Sequence, residues 1–202
     1  MARLQDDEVE RFHPTSGRVT GWMTVVLAAV VAATGVVYLD DGFPLWIVAA
    51  AVLVGVLAWA AMLRPALWVR DGRLEMRNML ETIQIRLVAV ETLAVRQVLA
   101  VRAADRRWVS TAVGRSLRKA VTSGRRPPAT GADGRPATAV KYVDFVEERL
   151  HLLVDEARTA AGITPGSPEQ LALPDAVRRE RAWVPIVLIA VAVVGLLVTL
   201  LV

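Results

Sequence analysis

Residues 67–78, Leu67-Trp68-Val69-Arg70-Asp71-Gly72-Arg73-Leu74-Glu75-Met76-Arg77-Asn78, read as two short strands folded back on each other. Leu74 and Met76 alternate with Arg73, Glu75 and Arg77, the period of two that gives a strand one buried and one solvated face. Asp71-Gly72 between the two runs is a two-residue hairpin signal. The alternation continues downstream. Ile83, Ile85 and Leu87 alternate with Thr82, Gln84 and Arg86; Leu93 and Val95, then Leu99 and Val101, extend it. Residues 108–113 come after the charged turn Asp105-Arg106-Arg107. About six short strands at close spacing predict an antiparallel meander. Ile83, Ile85, Leu93, Val101 and Trp108 are expected in its core, with Gln84 and Arg86 exposed on the opposite face.

Residues 114–139 break this order with Gly, Pro, Ser and Thr, and carry Arg115, Arg118, Lys119, Arg125, Arg126 and Arg135 against one acid, Asp133. They predict a mobile basic loop. Residues 140–161 then read as a helix with a stripe of Val143, Val146, Leu150, Leu153 and Ala157, ended by Gly162. The stripe is aliphatic and its flanks mainly acidic, so the helix is expected to cap the sheet and not to lie on a membrane. Residues 162–182, with three prolines between 164 and 174, predict a linker and a short basic approach to the apolar segment that begins at Trp183.

Outside this polar stretch of 64–182 lie three uncharged apolar segments, 22–39, 45–63 and 183–202. Each matches a hydrocarbon core of roughly 30 Å at roughly 1.5 Å per residue. The region before the first carries Asp6, Asp7, Glu8 and Glu10, not the basic cluster of a signal peptide, so a retained span is expected. The link Asp40-Asp41-Gly42-Phe43-Pro44 has no Lys or Arg, whereas Arg64, Arg70 and Arg73 follow the second span and Arg178, Arg179 and Arg181 precede the third. Positive-inside bias places the link outside, and the tail 1–21 and the region 64–182 in the cytoplasm, with the last span ending at the outer face. Trp22, Tyr38, Trp46, Trp59 and Trp183 fall near span ends, where amphipathic rings favour the headgroup layer.

The fold class expected is thus α+β with three transmembrane helices: tail 1–21, helical hairpin 22–63, sheet domain 64–161 with its loop 114–139, linker 162–182 and last span 183–202. Without cysteine there is neither a disulfide framework nor a thiolate metal site. Of the 24 basic residues only Lys119 and Lys141 are lysine, a bias expected of a GC-rich bacterial genome.

The run Arg64-Pro65, then residues 68–78, then Thr82-Ile83-Gln84-Ile85 leading to Val88-Ala89-Val90-Glu91, resembles bacterial pleckstrin-homology-like domains. The nearest type is the small actinobacterial membrane proteins related to low molecular weight protein antigen 6. The resemblance covers about residues 64–113. It implies a partly open antiparallel barrel closed by a C-terminal helix and attached to a transmembrane hairpin, with no catalytic role. Leu87 stands where the pattern would have Trp, and the third span and the basic loop are additions to it.

Candidate chemistry is sparse. Ser116-Leu117-Arg118-Lys119 has the Ser-x-x-Lys spacing that sets an amine one turn from a hydroxyl, but no accompanying motif or apolar cover, so a solvated loop is expected. Glu147, His151 and Asp155 share a helical face at a spacing a divalent cation could use, yet read better as a solvated face. His13 and the pair Asp40 and Asp41 are explained by the tail and by the outer turn. No catalytic residue, metal ligand or cofactor is assigned.

Arg70, Arg73 and Arg77 around the first hairpin, with Arg115, Arg118, Lys119, Arg125 and Arg126 of the loop, are the candidate contacts to anionic lipid. The loop has no aromatic residue to stack on bases, so nucleic acid is not an expected partner. Ala29 to Ala33 and Ala51 to Gly55 have small-xxx-small spacing suited to close helix packing, and no span carries a charge for an ion path. The expected function is a non-enzymatic membrane protein whose cytoplasmic domain binds a membrane surface or a membrane or cytoplasmic protein. The alternative is an accessory or regulatory subunit of a transporter, protease or envelope-synthesis complex, its spans carrying the contacts.

Overall fold

The structure, a computed structural model, describes residues 9–13, 17–114 and 136–201, with side chains of the last stretch from 142 onward. The chain forms two compact units. One is a sheet unit drawn from the segment before Gly17, Ala66–Arg77 and Thr82–Glu180. The other is a helical unit of Gly17–Pro65, Asn78–Glu81 and Arg181–Val202.

In the sheet unit, β2 (Ala66–Arg70) and β3 (Arg73–Arg77) form the expected hairpin, pairing Leu67 with Met76 and Arg70 with Arg73. Asp71 and Gly72 both take positive φ, 50° and 67°, which suits the right-handed twist of the strands they join. β4 (Glu81–Arg86) comes next, antiparallel, with Leu74 opposite Ile85. A 3₁₀ turn at Leu87–Ala89 leads into β5 (Val90–Val95), β6 (Leu99–Ala103) and β7 (Arg106–Ser110), a second antiparallel sheet.

The meander read from the sequence is therefore two sheets, and two strands join the first from unexpected places. β1 (Glu10–Phe12) lies within the stretch read as a tail and pairs with β2, Phe12 opposite Leu67. The first sheet runs β1-β2-β3-β4-β8, where β8 (Val177–Arg181) belongs to the stretch read as a linker. Arg86 N–H donates to Ala176 O at 3.0 Å at one end of that pairing.

α3 (Pro136–Ala161) starts earlier than the helix read over 140–161 and stops, as expected, at Gly162 with φ 67°. Val143, Val146, Leu150 and Val154 are buried with Leu67, Leu74, Met76, Ile83 and Ile85 of the first sheet and Val90, Val95, Leu99 and Val101 of the second. Val154 takes the place in the stripe that the sequence reading gave to Leu153, which is only partly buried. Trp108 also sits at the margin of this core, its Nε1 donating to Ala103 O at 3.2 Å. Gln84 and Arg86 are half-buried, not exposed. The reason for Arg86 is the segment before β8, whose Pro174 carbonyl accepts from its Nη1 at 3.3 Å.

The supposed linker is tied down by a buried side chain. The short helix α4 (Pro168–Leu171) is capped by Ser167, whose Oγ accepts from Gln170 N–H at 3.2 Å. Gln170 Nε2 then donates to Val88 O at 2.8 Å and Val90 O at 3.0 Å, while its Oε1 accepts from Gly166 N–H at 2.7 Å. A buried amide that meets carbonyls freed by the 3₁₀ turn removes their desolvation cost, so this segment folds with the domain.

The helical unit holds three helices long and apolar enough to cross a membrane: Arg18–Val37, Leu45–Leu63 and Trp183–Leu201. The first, α1 (Arg18–Val37), begins before and ends before the predicted 22–39. The second is α2 (Leu45–Ala58), widening to π geometry over Trp59–Leu63; the third is α5 (Trp183–Leu201). α1 buries Gly21, Ala28 and Gly35, small residues seven apart on one face. A methyl group on Gly35 would lie 2.5 Å from Val48 Cγ2, and one on Gly21 2.9 Å from Met62 Cβ. These glycines, not the Ala29 to Ala33 pair, let α1 and α2 approach closely.

Candidate anion-binding surface

The register of the first sheet decides which arginines meet. Leu67, Val69, Leu74, Met76, Ile83 and Ile85 point to the core, so the alternate residues share the outer face. Arg70 is directly opposite Arg73, and Arg73 directly opposite Arg86, forming a row of three guanidiniums across β2, β3 and β4 beside the Asp71-Gly72 turn. The next row is Trp68, Glu75 and Gln84, and the third Ala66, Arg77 and Thr82. Arg11 of β1 stands opposite Trp68.

Like charges aligned across strands repel, and the neutralising contacts here are few. Arg70 Nε lies 3.2 Å from Asp71 Oδ2 with both side chains more than half exposed, a pair that water screens heavily. Arg86 is held by a carbonyl rather than a carboxylate. Arg73 Nη1 is buried with no hydrogen-bond partner among the described residues. At the far edge Arg178 Nε pairs with Glu180 Oε1 at 3.0 Å. The row therefore keeps net positive charge, which is what an anionic surface would meet.

Of the residues singled out from sequence, Arg70 and Arg73 come together, and Arg77 lies on the same face about 13 Å along β3 from Arg73 at roughly 3.3 Å per residue. Arg115, Arg118, Lys119, Arg125 and Arg126, with the Ser116-x-x-Lys119 spacing, lie outside the described residues. The sequence pattern marks Arg86 only as an exposed strand residue. Counting the register through the 78–81 turn would have placed it beside Arg73.

The other candidates separate. Glu147 Oε1 accepts from Val95 N–H at 3.2 Å, Asp155 pairs with Arg158 at 3.4 Å, and His151 is exposed. No group of three His, Asp or Glu among the described residues could hold a metal ion. The backbone N–H of His13 donates to the Tyr142 hydroxyl at 2.7 Å, and Arg149 Nε meets Glu10 Oε1 at 2.9 Å, so the segment before α1 is fastened to α3. On the outer face of the second sheet, Ala94 and Ala100 floor a groove bordered by Arg96, Arg102 and Arg107. Arg102 is answered by Glu91 at 3.0 Å.

Comparison with family models, with curated proteins and with solved structures gives no match to this chain.

Proposed function

We propose that this chain is a non-enzymatic bacterial membrane protein of the pleckstrin-homology-like kind, whose sheet unit binds an anionic membrane surface or an acidic protein face from the cytoplasmic side. The observation that carries the reading is the row Arg70, Arg73 and Arg86, three cations aligned on one face, where among the described residues Asp71 is the carboxylate in ion-pair contact and Glu75 lies in the adjoining row. Two antiparallel sheets and α3 around one core support the barrel-and-helix form that the sequence resemblance implies.

Strand pairing bears on the topology. β1 precedes α1 and pairs with β2, which follows α2, so both ends of that helical pair lie on one side of the bilayer if both helices cross it. The arginines after α2 and before α5 support the cytoplasm as that side. Impermeant maleimide should then label Asp40→Cys in intact cells, and Asp71→Cys only after permeabilisation. The reverse pattern would overturn the orientation.

Binding is tested with the full chain in neutral nanodiscs, offered vesicles of phosphatidylcholine alone or with phosphatidylglycerol or phosphatidylinositol at equal charge. Charge recognition predicts binding to both anionic vesicles, lost as salt shortens the screening length, and weakened by Arg73→Ala with Arg86→Ala. Undiminished binding by the double variant would remove the arginine row from the function. A second reading, an accessory subunit whose spans carry the contacts, draws on the apolar groove of the helical unit lined by Ala29, Ala32, Val52 and Gly55. Under it, the double variant would retain every co-purifying protein.

A further inference from the structure

We propose that the β3–β4 connection, Asn78–Glu81, is an interfacial lip whose Met79 and Leu80 side chains lie in lipid at the boundary where the second span ends and the third begins. This rests on the membrane reading above. The sequence first shows the anomaly: turns in water favour Gly, Asn, Asp and Ser at their tips, and this one carries Met79-Leu80. Leu80 is 44% exposed and takes no part in the sheet unit's core.

The hydrogen bonds fix its depth. Arg64, the residue directly after the apolar run Leu45–Leu63, is buried, and its Nη1 donates to Asn78 O and, at 2.8 Å, to Met79 O. Ala182, directly before the apolar run Trp183–Leu201, donates its N–H to Leu80 O at 2.9 Å. The turn is thus bonded to the first residue after one span and the last residue before the next. Trp183, 64% exposed, marks the same level as a ring that favours the headgroup layer.

Backbone can enter that layer only if its polar groups are already paired. Here the carbonyls are: those of Asn78, Met79 and Leu80 accept the bonds just given, and Glu81 O accepts from Asn78 N–H at 2.8 Å. An arginine spent on carbonyls rather than water, and two apolar side chains presented over a turn whose carbonyls are paired, suit an acyl–headgroup boundary. They give no advantage to a turn in bulk water.

The chain has no cysteine, so single nitroxide labels report cleanly. The full chain carrying Leu80→Cys, Trp183→Cys, Asp71→Cys or Val191→Cys is labelled in nanodiscs of phosphatidylcholine and phosphatidylglycerol, and collisions with oxygen and with a water-soluble nickel chelate are compared. Oxygen should dominate at Val191, prevail less at Leu80 and Trp183, and yield to nickel at Asp71. Nickel access at Leu80 equal to that at Asp71, with Val191 still lipid-like, overturns the lip alone. Nickel access at Val191 overturns the membrane reading beneath it. Shielding of Leu80 from both reagents means that protein covers the turn, and overturns the lipid assignment.

Discussion

The two units sort their residues by size in opposite directions. The sheet unit hides its largest aliphatics, Leu67, Leu74, Met76, Ile85 and Leu150, and shows water its charges. The helical unit hides Gly21, Ala28, Gly35, Ala51, Ala58 and Ala192 and turns Val26, Leu27, Val187 and Val191 outward. In water, area removed from solvent drives burial, so bulk goes inside. In lipid, the surroundings are as apolar as leucine, and the remaining gain is close contact between backbones, which small residues permit. The difference shows that the two units answer to two solvents.

The contrast breaks most visibly at Phe12, which is buried against the sheet although it precedes the helices. Phe12→Ala should cost roughly 3 to 5 kcal/mol of sheet-unit stability by denaturant unfolding of the full chain in micelles. A free tail would give no change. Ile85→Ala, fully buried, should cost roughly 2 to 5 kcal/mol in the same assay.

Overpacking tests the helical side. Gly35→Leu forces a side chain into Val48 and Phe43 and should destabilise the α1–α2 pair by roughly 1 to 3 kcal/mol, read as a lowered micellar melting temperature. A Cβ at Gly195 meets nothing within 4 Å, so Gly195→Ala should be silent. Gln170→Ala leaves Val88 O without its amide donor and should cost about 1 to 3 kcal/mol, with faster hydrogen exchange in α4; its exposed neighbour is the control, Glu169→Ala having no such effect. The smallest effect belongs to the lipid-facing surface. Val191→Ala, 65% exposed, should stay within about 0.5 kcal/mol, and a loss as large as that at Ile85 would mean α5 is packed and not solvated by acyl chains.

The features legible in the sequence were local ones. The β2–β3 turn announces itself in Asp71-Gly72, the three apolar helices in unbroken runs, and the stripe of α3 in its period. β1 and β8 carry no such mark. Glu10-Arg11-Phe12 is too short for alternation to register, and Val177 to Arg181 is nearly all charge. Each is an edge strand whose partner lies far along the chain, so only the assembled sheet selects it. The arginine row is local but needs a register: Arg70 and Arg73 adjoin through a turn, and Arg86 reaches them only once the pairing of β3 with β4 is counted through the 78–81 connection. Gln170 gave no signal because its partners are backbone carbonyls, which every residue has.

Pairing β1 with β2 also sets an order of manufacture. Leu67 leaves the ribosome roughly 3 to 11 seconds after Phe12 at ~5–20 residues per second, with both apolar helices of the pair made in between. Throughout that interval the first strand has no partner. The domain therefore cannot finish folding until the insertion machinery has released the helical pair. Completion of the sheet is a report that both helices have arrived.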